Sequence, residues 1–222
     1  MDFIFMLTRN DQTVEDCLEV MAAIAPAGLT HIGFKDVGVD VATLHALNGR
    51  IKASGATSYM EVVSTTKEQC LQSARAAVEI GVDRLLGGTD VHEVLEILDG
   101  SGIGYYPFPG MPSGHPTRLG GSPKQIAEHC RNFMEAGCAG ADLLAYRATD
   151  ADPLDLVQAA REGLGNGRLV VAGSVNSSQQ IHALAQAGAD AFTIGSAVFD
   201  GSFSPNKGAV TSQLRDVIEA CS

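Results

Sequence analysis

The chain of 222 residues is long enough for one large α/β domain or two small ones, and its 45% apolar content supports a sizeable core. A formal net charge of -11 at pH 7 argues against non-specific nucleic-acid binding, which needs basic surface, and equally against anchoring on anionic lipid. No segment reaches the ~18 consecutive apolar residues that a membrane span requires.

The opening stretch, Met1 to Leu7, has no basic region before its short apolar run. It reads as a first strand, not a secretory signal, and a cytoplasmic protein is expected. From there one pattern recurs. A helical stretch ends in a small residue plus glycine, and an apolar strand follows within a few residues. Ala27-Gly28 precedes His31-Ile32-Gly33-Phe34, and Ser54-Gly55 precedes Tyr59-Met60-Glu61. Ile80-Gly81, Ser101-Gly102, Ala136-Gly137, Gly165-Asn166-Gly167 and Ala187-Gly188 extend the series. Glycine at such points caps helices in the left-handed conformation that other residues resist.

Seven such turns plus the opening strand give eight strands, at residues 2–8, 29–34, 58–63, 83–87, 103–107, 141–146, 168–172 and 190–194. Helices fill the intervals, the last at 207–220. Strict alternation implies a parallel sheet. Eight units without a composition break predict one α/β domain over residues 1–222, a closed (β/α)8 TIM barrel. An open doubly wound sheet is the competitor, but the first turn, Thr8-Arg9-Asn10-Asp11, lacks the glycines that fold favours.

In such a barrel the substrate sits at the C-terminal strand ends. On the second strand His31, Gly33 and Lys35 share one face and Ile32 and Phe34 the other, so Lys35 points inward near the mouth. Glu61 lies at a comparable height on the third strand. The two are candidate catalytic residues, as a proton-transfer pair or with Lys35 attacking a ketone as a neutral amine. A salt bridge that simply fills the barrel top is the plainer alternative. After the fourth strand, Asp90 is placed as a helix cap; Asp36, after the second, either caps or binds metal.

The one long connection, Pro107 to Ser122, follows the fifth strand. Its His115 and Arg118 are candidate substrate contacts from a loop that closes over a ligand. Arg147, at the end of the sixth strand, suits bidentate contact with a phosphate or carboxylate. The seventh and eighth strands end in Gly173-Ser174 and Gly195-Ser196. Small, N–H-rich turns side by side on one sheet edge bind phosphate. No histidine or cysteine spacing suggests a metal site, and the five cysteines show no CxxC pairing. They read as free thiols of a reducing compartment.

The segment from Ala172 to Asn176, with that from Ala187 to Ala197, resembles the paired phosphate-binding turns of the ribulose-phosphate-binding barrel superfamily. That group includes ribulose-phosphate epimerases, orotidine- and ketogulonate-phosphate decarboxylases and related aldolases. The resemblance implies that Gly173, Ser174, Gly195 and Ser196 hold phosphate. The members' catalytic motifs differ from this chain. The decarboxylases' Asp-x-Lys-x-x-Asp appears here as Gly33-Phe34-Lys35-Asp36-Val37-Gly38. Lys35 and Glu61 stand where the epimerases have metal-binding histidines, and Arg147 lies near where class I aldolases have their lysine.

The expected function is therefore a lyase or isomerase acting on a phosphorylated sugar or keto acid, without a cofactor. A non-catalytic phospholigand sensor, or a barrel binding the phosphate of a flavin or nucleotide, are the alternatives. Homo-oligomers are common among such barrels.

Overall fold

The structure is a computed structural model that describes residues 1–64 and 66–221. Eight strands form one sheet: β1 Asp2–Met6, β2 His31–Lys35, β3 Thr57–Glu61, β4 Arg84–Leu86, β5 Gly104–Tyr106, β6 Gly140–Leu143, β7 Arg168–Val171 and β8 Ala191–Ile194. Their order, β6-β7-β8-β1-β2-β3-β4-β5, is that of a barrel opened at one seam, and every ladder is parallel. Two backbone hydrogen bonds close the seam. Ala139 N–H donates to Tyr105 O (2.9 Å) and Asp142 N–H to Pro107 O (3.0 Å).

Period-two alternation divides each strand between two layers. One set of side chains, including Ile4, Met6, Tyr59, Leu86, Tyr106 and Val170, fills the barrel interior. The opposite set, with Phe5, Ile32, Phe34, Met60, Leu143 and Phe192, packs against the surrounding helices. Gly33 is required by the interior packing, because a Cβ there would collide with the Met6 sulfur.

The helices are α1 Cys17–Ile24, α2 Val41–Ala53, α3 Lys67–Ile80, α4 Val91–Leu98, α5 Pro123–Ala136, α6 Pro153–Leu164, α7 Ser178–Ala187, α8 Ser196–Phe199 and α9 Val210–Ala220. Glycines 81, 137 and 188 end α3, α5 and α7 in the left-handed conformation. Local chemistry also sets the starts. Ser122 and Gln125 form a reciprocal capping box on α5, and Asp40 and Asp152 cap α2 and α6.

Four local expectations need correction. The first strand stops at Met6, and Thr8–Arg9 instead pairs with Gln12–Thr13 as a small hairpin. The loop after β5 is not irregular, since Met111–Ser113 pairs with Arg118–Gly120. Asp90 precedes α4 without capping it through its side chain. Asp36 is not a helix cap either; its carboxylate accepts from Val63 N–H (3.1 Å) and from the Ser73 hydroxyl, tying β2 to α3. The described helices include none long and apolar enough to cross a membrane.

Candidate active site at the barrel mouth

The first hairpin is the element on which the site turns. Its two central residues, Asn10 and Asp11, have φ of 51° and 58°. That is the pattern of a type I′ turn, and Asn and Asp are the non-glycine residues that best tolerate it. The hairpin is pinned on both flanks. The Thr13 hydroxyl donates to Lys35 O and accepts from Lys35 N–H, both at 2.8 Å. On the other side Arg9 pairs with Asp200 (2.8 Å), and Asn10 N–H donates to the Ser196 hydroxyl (3.2 Å). The turn thus bridges the ends of β2 and β8 and holds the Asp11 carboxylate over the mouth.

Asp11 collects two cations there. One oxygen lies 2.8 Å from Lys35 Nζ and 2.9 Å from an Arg147 nitrogen, and the other accepts from Arg147 at 3.1 Å. Lys35 also meets Glu61 at 3.1 Å, as expected for residues directly opposite in the β2–β3 ladder. Lys35 and Glu61 are each 6% exposed.

These contacts set the charge states. Burial pulls the Lys35 ammonium down, but Glu61 and Asp11 outweigh it and hold the pKa above the ordinary lysine value. Burial raises the Asp11 carboxyl, yet Arg147 and Lys35 together keep it far below the usual carboxylate range. Lys35 is therefore a protected ammonium, suited to donate hydrogen bonds and polarise a carbonyl, and poorly suited to give up its proton or attack as a free amine.

Both Gly-Ser turns reach the same cleft. A cavity of about 260 Å³ is lined by Gly173, Ser174, Gly195 and Ser196 together with Lys35, Glu61, Asp11 and Arg147. Among the described residues, no backbone carbonyl accepts from the N–H groups of Gly173, Ser174 or Ser196. Ser174 itself takes a left-handed φ of 63°, a strained choice for serine of the kind found at ligand sites. The site is thus a set of unclaimed N–H donors at one end and an ion cluster at the other.

The remaining candidates separate. Arg118 faces a neighbouring cleft of about 580 Å³, which shares Asp11, Arg147, Ser174 and Ser196 with the first. His115 lies elsewhere, beside Asp36 and Val63 in a third cleft. Two residues of the cluster were not candidates from sequence. Asp11 sits on the hairpin, whose Asn-Asp pair is the signal that could have revealed it. Asp142, on β6, is fully buried with neither carboxylate oxygen hydrogen-bonded. Its signal is a lone acid on the inward face of an apolar strand. Among the described residues no group of three or more His, Cys, Asp or Glu side chains is arranged to hold a metal ion.

The depressed Asp11 makes stability pH-dependent. Its native pKa lies below the unfolded value near 4, so its contribution is complete above about pH 4 and is lost as pH falls through the native value. Asp11→Asn is expected to be about 2–4 kcal/mol less stable than wild type at pH 7, with the gap narrowing at pH 3. Urea midpoints at the two pH values check this; a gap that stays constant would mean that Asp11 is not held by Lys35 and Arg147.

No protein-family model matches the chain, nor does any curated protein sequence. Solved structures do. The native KDPGal structure superposes with a TM-score of 0.69 at 15% identity, over 99% of this chain and 96% of that one. Orotidine 5′-phosphate decarboxylase from Pyrococcus horikoshii gives 0.68 at 11% identity, covering 99% and 98%. Thiamine phosphate pyrophosphorylase from Pyrococcus furiosus gives 0.61 at 15%, covering 99% and 96%. At these identities the likeness is one of fold, and the fold it shows is the α/β TIM barrel.

Proposed function

We propose that this protein is an enzyme acting on a phosphorylated sugar or keto acid, a lyase or isomerase that moves a proton at a carbon beside a carbonyl. The observation that carries the reading is the shared cleft. Unclaimed N–H groups of two glycine turns and the Lys35–Asp11–Glu61–Arg147 cluster line one cavity of about 260 Å³. Orotidine 5′-phosphate decarboxylase and thiamine phosphate pyrophosphorylase, whose names include phosphate compounds, share the barrel.

In this reading the phosphate docks on Gly173-Ser174 and Gly195-Ser196, and its binding energy positions the reacting carbons across the mouth. Arg147, whose two terminal nitrogens hold Asp11, adds its positive charge beside the phosphate site and not the bidentate ligand contact that its position at the strand end suggested. Lys35, an ammonium held by two carboxylates, polarises the carbonyl and stabilises the enolate that forms. Glu61, on the adjacent strand, is the base that removes or returns the proton. A phospholigand sensor would use the same turns, but it leaves the cluster of four charged side chains, with Lys35 and Glu61 buried, without a task.

Incubation with a panel of ketose phosphates, aldose phosphates and phosphorylated keto acids in deuterated water tests the proposal. The expected result is deuterium at the carbon beside the carbonyl in recovered substrate or product, detected by mass spectrometry. Turnover of unphosphorylated analogues as efficiently as of their phosphates would overturn the phosphate reading. Borohydride added during turnover is expected to trap no adduct on Lys35.

A further inference from the structure

Asp142 is a buried acid that the mechanism above does not use. It stands on the inward face of β6, the outward neighbours Ala141 and Leu143 being part of the helix-packed layer. Its register partner on β7 is Val170, an apolar interior residue. The side chain is 0% exposed, and both oxygens lack any hydrogen-bond partner. The charged groups that act on it come from three directions. They are Glu61 on β3, Lys35 on β2 and Arg147 just beyond β6 itself.

An ionised carboxylate cannot stay in such a place without partners, because its lost hydration costs several kcal/mol. Both available cations are already engaged, Lys35 by Asp11 and Glu61, and Arg147 by Asp11. Counting charges leads to the same end. Lys35 and Arg147 supply two positive charges, and Asp11 supplies one negative. One further negative charge makes the cluster neutral; a second would leave an unbalanced buried anion.

We infer that Asp142 is held as the neutral acid, a positioning residue that keeps the ion cluster neutral and leaves Glu61 to pair with Lys35. Burial raises the Asp142 carboxyl well above the usual range, and the charge of Glu61 pushes it further, against the pull of Lys35 and Arg147. The catalytic consequence rests on the proposed role of Glu61 as base. When Glu61 takes a proton from substrate, the cluster gains one positive charge as the substrate gains its enolate charge, and the two offset each other. Asp142 meanwhile keeps its own proton and donates none.

The protonation of Asp142 is tested without substrate, so its failure is distinct from failure of the phosphosugar reading. Infrared spectra of the full-length protein at pH 7 are expected to show the C=O stretch of a neutral carboxylic acid that Asp142→Asn removes. In Glu61→Gln that band is expected to disappear at lower pH than in wild type, because the neighbouring negative charge is gone. Asp142→Leu, similar in volume and apolar, replaces the asparagine variant if that variant fails to fold. A wild-type spectrum without the Asp142 band overturns the inference, and so does a band whose titration Glu61→Gln leaves unmoved.

Discussion

Lys35→Met is expected to lower turnover by about 10³-fold, within the range lost when a donor to a developing oxyanion is removed. The reason is geometric as well as chemical. Lys35 alone touches both Asp11 and Glu61, so it joins the hairpin to β3 and fixes where the ammonium sits. Methionine keeps an unbranched stem one atom shorter than lysine and removes the charge. Buried Glu61 and half-buried Asp11 then lose their shared cation, and stability is expected to fall by about 3–5 kcal/mol, the usual cost of breaking a buried ion pair from one side. Steady-state kinetics on the substrate identified from the panel, with a urea melt of the same preparation, measures both. The phosphate end lies outside this cluster, so the affinity for inorganic phosphate is expected to change less than tenfold. Turnover within tenfold of wild type would remove Lys35 from the chemistry.

How Lys35 and Glu61 could be read from sequence, and Asp11 could not, has a physical explanation. Strand periodicity is exact, so placing Lys35 on the inward face of β2 required only Ile32 and Phe34 on the other face. The same alternation set Glu61 opposite it. Small-residue–glycine helix ends marked the helix-to-strand turns and so the strand count. Asp11 depends on a reversal that periodicity does not describe. Two successive residues with positive φ turn the chain back within Thr8–Thr13, and the apolar run before them reads as strand straight through to Thr8. The Asn-Asp pair carried that information in its turn chemistry. Asp142 was equally legible by alternation, since Ala141 and Leu143 face outward, but one acid among apolar neighbours is easily absorbed into the strand. His115 and Arg118 had no such guide. Their positions follow from a hairpin within the long loop, whose direction is set by tertiary packing.

The phosphate end yields the second large effect. Gly195→Ala is expected to weaken binding of inorganic phosphate by about 10²-fold and to lower stability by about 1–3 kcal/mol, the range for overpacking. A Cβ on Gly195 would lie 2.5 Å from the Thr8 hydroxyl oxygen, 2.7 Å from Thr8 O and 3.1 Å from Met6 O. Two of those three atoms are backbone, so the β8 turn must move, not a side chain. Moving it displaces the N–H donors of the turn from any anion they share with Gly173-Ser174. Losing one or two charge-assisted hydrogen bonds, each worth about 1.5–3 kcal/mol, accounts for the hundredfold change. Gly208→Ala is the matched control, because no atom lies within 4 Å of its added Cβ and its φ is not positive. Calorimetric titration with inorganic phosphate on both variants separates the effects. If Gly195→Ala binds phosphate as tightly as Gly208→Ala, the anion does not rest on the β8 turn, and the phosphate assignment loses that half of its site.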